Sequence, residues 1–185
     1  KKLLDSSDAL IMVDEAYFEF SRFSMRPYLD RYENLVILRT FSKAFSLAGV
    51  RMGYLLANAS VIREFLKVRQ PYSVDSVSQA IATAVYRNRS LFVPGINQII
   101  EQRGVLLDYL GKMPGVTVFD SDSNYVLFRV ADAGQVWQEL YERGVLIRDF
   151  SRSQYLENCL RVSVGSPEEN RVFLDALAEI LNERS

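Results

Sequence analysis

The chain has 185 residues, 49% of them hydrophobic and 24% charged, an ordinary globular composition with length for one large domain or two small ones. Its 22 basic and 23 acidic side chains leave a net charge of -1, so no broad positive field gathers nucleic acid or an anionic membrane, and any anion must be held locally. The single cysteine, Cys159, excludes an internal disulfide. The apolar runs are far shorter than the roughly 20 residues that cross a bilayer, and no signal-peptide pattern opens the chain. These features lead to the expectation of a soluble, cytoplasmic protein.

Residues 1–8 read as the end of a helix and its exit loop, and the first residue is not methionine, so a fragment of a longer protein is expected. Residues 9–13 form a continuous apolar run ending in Asp14-Glu15, the pattern of a strand buried on both faces with carboxylates at its C-terminal end. Residues 35–38 repeat it and give way to Arg39-Thr40-Phe41-Ser42-Lys43. In open α/β sheets, ligands collect at such carboxyl ends.

A third strand is predicted over residues 50–57. A helix follows over 60–69, with Val61, Ile62, Phe65 and Leu66 at helical spacing and Pro71 beyond its end. Residues 76–87 are also helical, with Val77, Ala80, Ile81, Ala84 and Val85 on one side. After Arg89 a long helical pattern carries Ile96, Ile99, Ile100, Leu106, Leu107 and Leu110 until Pro114-Gly115 breaks it.

From Val116 the texture shortens. Strands are predicted over 116–119, 125–130, 145–148 and 160–164, with a helix over 135–143 ended by Gly144. The last helix opens on Ser166 as N-cap, Pro167 at its first position and Glu169 completing a capping box, and carries Phe173, Leu177, Ile180 and Leu181 as its apolar stripe. The reading is an α/β chain in two parts. Residues 1–95 hold the parallel-sheet part, and residues 96–185 hold a small α+β domain that includes the long connecting helix.

The sharpest chemical signal is Thr40-Phe41-Ser42-Lys43, followed eight residues later by Arg51 within Gly49-Val50-Arg51-Met52-Gly53-Tyr54. A lysine after a strand, flanked by hydroxyls, is placed to lose part of its hydration, which favours the neutral amine that forms a Schiff base. Arg51 offers a planar fork for a phosphate, and Thr40 and Ser42 add hydroxyl donors. A P-loop is the competing reading, but it needs glycines before the lysine and a Ser or Thr after it, the reverse of the order here. For the lysine alone a solvated Ser-Lys turn is the simpler account; the full constellation outweighs it.

Asp14-Glu15-Ala16-Tyr17 supplies a carboxylate able to keep a heterocyclic nitrogen protonated and a phenol able to donate to a neighbouring oxygen. A metal site is the weaker reading, because the chain has no histidine and no second spaced carboxylate cluster. Farther on, Leu160, Val162 and Val164 alternate with Arg161 and Ser163, which puts the polar pair on one face of a strand. Arg148, for which a salt bridge with Asp149 or a neighbour is an equal alternative, and Asn124 are further polar candidates.

These three motifs, Val13-Asp14-Glu15-Ala16-Tyr17, Thr40-Phe41-Ser42-Lys43-Ala44-Phe45 and residues 49–54, resemble the fold-type I aminotransferases that depend on pyridoxal 5'-phosphate (PLP), most closely the histidinol-phosphate aminotransferases. The resemblance extends over Asn124-Tyr125-Val126-Leu127-Phe128, Gly144-Val145-Leu146-Ile147-Arg148 and Leu160-Arg161-Val162-Ser163-Val164-Gly165.

It implies the C-terminal half of the PLP-binding large domain, a mostly parallel sheet with helices, followed by the small α+β domain. It also implies that Lys43 carries the cofactor and moves the proton at the substrate α-carbon. Asp14 would face the pyridine nitrogen and Tyr17 the phenolic oxygen, Thr40, Ser42 and Arg51 would hold the cofactor phosphate, and Arg161 would take the substrate's anionic group, aided by Arg148 and Asn124.

The implied reaction is transamination between an amino donor and a 2-oxo acid, with L-histidinol phosphate and 2-oxoglutarate the favoured pair, in histidine biosynthesis and in a homodimer. Threonine-phosphate decarboxylation and aromatic transamination are the alternatives within the same fold, and a non-catalytic truncated fragment is the alternative outside it. Phe18, Phe20, Phe23 and Tyr28 are candidate dimer contacts. Nothing here matches the family's N-terminal arm, the loop that completes its phosphate site or the aromatic residue that stacks on the ring.

Overall fold

The computed structural model describes residues 1–184, which divide into two compact units, Lys1–Val93 and residues 94–184. In the first, a short helix α1 (Lys2–Ser6) leads to strand β1 (Ile11–Asp14), helix α2 (Phe18–Ser21), strand β2 (Leu35–Thr40), strand β3 (Gly53–Ala57) and helices α3 (Ala59–Val68) and α4 (Ser76–Arg87). The strands form one sheet in the order β1-β2-β3, with β1 parallel to β2 and β3 antiparallel to it.

Sequence and structure agree closely on β2, where Leu35, Val36 and Ile37 are fully buried, so both faces are covered. β1 differs from the expected strand buried on both faces: Met12 is 54% exposed and Asp14 is exposed. An apolar run reports that a strand is buried on at least one face, and β1, at the end of this sheet, packs only its Ile11 and Val13 face, against Leu4, Met25, Tyr32, Leu35 and Ile37.

The third strand begins at Gly53 and not at residue 50. Ala48–Val50 forms a turn of 3-10 helix and Arg51 takes a left-handed conformation, so strand geometry starts only beyond it. Both later helices have side-chain N-caps that fix where they begin: Asn58 accepts the Ser60 amide at 3.2 Å and Asp75 the Ser78 amide at 2.8 Å. Of the four aromatics proposed as dimer contacts, Phe20 is buried, Phe18 lies under Arg39 and Tyr28 packs on the core, while Phe23 is exposed.

The second unit is built on helix α5 (Val93–Lys112), strands β4 (Val116–Val118) and β5 (Tyr125–Val130), helix α6 (Ala133–Glu142), strands β6 (Arg148–Asp149) and β7 (Cys159–Ser163), and helix α7 (Pro167–Glu183). Its sheet runs β4-β5-β7-β6, antiparallel throughout. The strand alternation read from the sequence decides the packing. Val126, Phe128, Leu160 and Val162 point to the helices and meet Leu106 and Leu110 of α5, Val136 and Leu140 of α6, and Phe173, Leu177 and Ile180 of α7. Full burial of each such side chain is worth about 1.5–3 kcal/mol.

The opposite face carries Tyr125, Leu127, Arg161 and Ser163. The predicted strand over 145–148 is reduced to two residues, because Gly144 at φ 80° ends α6 and the chain pairs with β7 only from Arg148. The predicted capping box of α7 is complete, with Ser166 Oγ accepting the Glu169 amide and Glu169 accepting the Ser166 amide.

Candidate functional site

β1 and β2 run parallel, so their C-terminal ends lie on one edge of the sheet; β3, running the other way, starts at that edge. The register pairs Asp14 with Leu38 and Thr40 with Gly53. Asp14 closes β1, Lys43 follows the end of β2 by three residues, and Arg51 precedes β3 by two. Topology thus brings a carboxylate, an amine and a guanidinium that are 37 residues apart in sequence to a single sheet edge, the place where open α/β sheets bind ligands.

Lys43 Nζ lies 5.5 Å from the centre of the Tyr17 ring. The amine is exposed, as are Asp14 and Arg51. Asp14 Oδ1 accepts the Ala16 amide at 2.9 Å, which turns the chain sharply out of β1 and starts the loop that carries Tyr17. Beyond β2, Thr40 Oγ1 accepts the Ser42 amide at 3.0 Å and donates to the Met52 carbonyl at 3.4 Å. The Thr40 hydroxyl is therefore engaged in closing the loop on both sides. Phe41 and Phe45 are buried beside Lys43, and Phe41 packs on Tyr54 at 5.7 Å, which anchors the lysine loop to β3.

Two non-glycine residues on this loop, Ser46 at φ 55° and Arg51 at φ 57°, hold left-handed conformations, strain of a kind that concentrates at ligand sites. Arg51 NH1 donates to the Ala48 carbonyl at 2.9 Å, which orients its fork. Gly53 answers a close approach: a Cβ there would lie 2.8 Å from the Arg39 carbonyl oxygen.

A further group beside this edge, the Glu15–Arg39 ion pair, was not singled out from the sequence. Glu15 is buried and accepts from the Ser24 hydroxyl, the Met25 amide at 2.7 Å, and Arg39 Nε and NH2 at 3.0 and 2.9 Å. Burial works against the Arg39 charge, but hydrogen bonds to Tyr54 and Glu15 outweigh it and hold the guanidinium above its ordinary value. Burial also raises the Glu19 carboxyl, opposed by its own backbone amide and by Arg39. The available signal was an arginine inside an otherwise apolar strand, a place where a charge needs a partner.

In the second unit, Arg161 lies on the face of the sheet away from the helices. Its guanidinium is 4.8 Å from the Tyr125 ring and 5.5 Å from the Phe150 ring, and its Nε is buried without a hydrogen-bond partner among the described residues. β6 pairs Arg148 directly opposite Arg161. Like charges facing across a ladder repel, and an orphaned buried donor costs about 1–3 kcal/mol; an anion on this face relieves both.

Among the described residues Arg148 forms no salt bridge with Asp149 or a neighbour; Asp149 accepts the Ser151 amide at 2.7 Å and Arg148 faces the Phe150 ring. Asn124 stands beside Tyr125 at the end of β7, its backbone carbonyl accepting the Val164 amide. Among the described residues, no helix is long and apolar enough to cross a membrane.

The sequence profile of aminotransferase class I and II matches residues 1–177. A histidinol-phosphate aminotransferase of Thermoanaerobacter sp. (strain X514) is 43% identical over 180 residues, covering 97% of this chain and 51% of that protein. Another, of Carboxydothermus hydrogenoformans, is 44% identical over 182 residues, covering 98% and 51%.

Among solved structures, the L-threonine-O-3-phosphate decarboxylase of Porphyromonas gingivalis superimposes with a TM-score of 0.86 at 26% identity, covering 98% of this chain and 58% of that one. The histidinol-phosphate aminotransferase of Clostridium acetobutylicum gives 0.84 at 24%, covering 94% and 54%, a likeness of fold. The chain spans about half the length of the curated relatives it matches.

Proposed function

The chain belongs to the class I and II aminotransferases, and from that membership we propose that it carries the Schiff-base lysine and most of the cofactor contacts of a PLP-dependent aminotransferase. The observation that carries the proposal is the gathering of Asp14, Lys43 and Arg51 at one sheet edge, with the Lys43 amine 5.5 Å from the Tyr17 ring. This donor set matches the cofactor group by group: an acid for a basic ring nitrogen, a phenol for a ring oxygen, an amine for an aldehyde and a guanidinium for a phosphate. Bound there, PLP supplies the electron sink through which an amino group leaves one substrate and is returned to a 2-oxo acid.

The rest is work for the side chains. Asp14 keeps the pyridine nitrogen protonated, and Tyr17 donates to the phenolic oxygen. Lys43 would hold the cofactor through its amine and would carry the proton at the substrate α-carbon. Arg51, with Ser42 and Thr40, neutralises and orients the phosphate. Arg161 takes the substrate's anionic group, with Arg148 and Asn124 beside it; the orphaned Nε and the facing arginine pair support that assignment.

The favoured substrates are L-histidinol phosphate, supported by the relatives at 43–44% identity named histidinol-phosphate aminotransferases, and 2-oxoglutarate as the amino acceptor. A cytoplasmic homodimer acting in histidine biosynthesis completes the proposal. The structural likeness to a threonine-phosphate decarboxylase favours a second reading, with the same cofactor residues and a different fate for the substrate.

One assay separates them. The full chain, loaded with PLP, is given L-histidinol phosphate with 2-oxoglutarate, and separately L-threonine O-3-phosphate. Glutamate formation in the first sample without carbon dioxide release in the second is expected. Carbon dioxide release without glutamate would transfer the chain to the decarboxylase reading, and neither product would overturn both.

A further inference from the structure

We propose that Arg39 and Glu15 form a positioning clamp that fixes the Tyr17 ring against Lys43. The inference rests on the reading of Lys43 as the cofactor-bearing amine and adds two residues that the reading does not use. Asp14 and Tyr17 serve the proposed cofactor site, while their neighbours Glu15 and Phe18 turn to Arg39. Glu15 meets the guanidinium through two hydrogen bonds, at 3.0 Å to Nε and 2.9 Å to NH2, and the Phe18 ring centre lies 3.7 Å from the guanidinium carbon.

Arg39 therefore grips residue 15 by charge and residue 18 by its ring, bracketing the Ala16-Tyr17 turn from both sides. The turn is closed within itself as well, the Phe18 amide donating to the Glu15 carbonyl at 3.0 Å and the Ala16 amide to Asp14. Ser24 ties the assembly together, donating to Glu15 while its oxygen accepts from Arg39 NH2 at 2.9 Å.

The other end of the clamp is covalent. Arg39 stands in β2 directly before Thr40 and four residues before Lys43. The guanidinium thus links the loop that leaves β1 with the strand that delivers the lysine. Both partners are almost wholly buried, with side chains 11% and 5% exposed. Buried ion pairs contribute little net stability, because desolvation offsets attraction; a better attested use is to select one arrangement over others. The arrangement selected here is Tyr17 beside Lys43.

The test uses the full chain and four proteins: wild type, Arg39→Lys, which keeps the charge and loses the fork, Tyr17→Phe, and the double variant. With PLP bound, the pH midpoint at which the visible band changes is measured. Arg39→Lys is expected to move that midpoint in the same direction as Tyr17→Phe, and to add little once the Tyr17 hydroxyl is gone. An unmoved midpoint, or two shifts that simply add, would overturn the clamp.

A cofactor-free arm separates this inference from the PLP reading. Acetylation of Lys43 by acetic anhydride, referenced to exposed Lys112 in the same sample, is followed by mass spectrometry. Loosening the ring over the ammonium in Arg39→Lys should raise the ratio about two- to fivefold, the worth of an exposed cation–π contact. An unchanged ratio overturns the clamp whether or not PLP binds, whereas a changed ratio with no visible band removes only the PLP reading. Should Arg39→Lys fail to fold by circular dichroism, Phe18→Leu, which removes only the ring under the guanidinium, is judged by the same ratio.

Discussion

In the second unit Leu106, Leu110, Phe128, Leu140, Leu160, Leu177 and Ile180 are all fully buried, and the stripes of α5, α6 and α7 meet one face of the unit's own sheet. In the first unit α3 buries no residue and α4 buries only Ala82, while Val68 is 80% exposed and Tyr72 98%. Val61, Ile62 and Phe65 of α3 and Val85 of α4 are only half-buried, so among the described residues both apolar stripes are incompletely covered. The contrast separates two things that a hydrophobic period does not distinguish: which face of a helix is apolar, and what lies against it. It also divides the proposed labour, because the weakly packed unit holds Lys43, the proposed cofactor lysine, and the well-packed unit holds Arg161, the proposed substrate arginine.

The largest expected effect sets chemistry against folding. Lys43→Ala should lower transamination by about 10⁴-fold, the upper end of what a proton-transferring side chain contributes. It should leave the unfolding of the second unit, followed by the fluorescence of Trp137, where it was. Loss of both together would break the division. Phe128→Ala is the converse: its ring packs 5.9 Å from Phe173 and is fully buried, so its removal should cost the second unit about 3–5 kcal/mol in urea unfolding. Leu66→Ala in the first unit, at a side chain 57% exposed, should stay within about 0.5 kcal/mol.

Arg161→Gln sharpens the comparison inside the second unit. Loss of a charged hydrogen-bonding partner should raise KM for the anionic substrate about 10- to 100-fold. Removing one of two facing arginines should not lower the urea midpoint, since the repulsion goes with the charge. The smallest effect lies at the start of α7, where Ser166→Ala should cost about 1 kcal/mol. Glu169 is held below its ordinary value by the Ser166 amide and hydroxyl. A depressed carboxylate gives stability that is present above its unfolded value and lost as pH falls through the folded one. The difference between Ser166→Ala and wild type should therefore narrow in acid, as read by urea unfolding at neutral pH and near pH 3.

Much of the frame was legible because short-range rules decide it. The capping box of α7, the alternation of β5 and β7, and the turn at Gly144 each depend on residues a few places apart. The positions of Asp14 and Lys43 at strand ends were legible for the same reason, whereas Arg51 was expected inside a strand and instead precedes β3. Arg39 was not, because its meaning depends on Glu15, 24 residues earlier, and on Phe18 beneath it. Nor was the facing of Arg148 and Arg161, since strand pairing is set by register, which no single segment reveals. Strand boundaries slipped where backbone strain intervened, at Arg51 above all.

The central claim is that Lys43 holds the cofactor, and the most direct measurement locates the bond. The full chain is incubated with PLP, reduced with borohydride, digested and sequenced by mass spectrometry. The pyridoxyl group is expected on Lys43, in the peptide containing Thr40 and Ser42. Its appearance on Lys1, Lys2, Lys67 or Lys112 in place of Lys43, or on no lysine, would contradict the account.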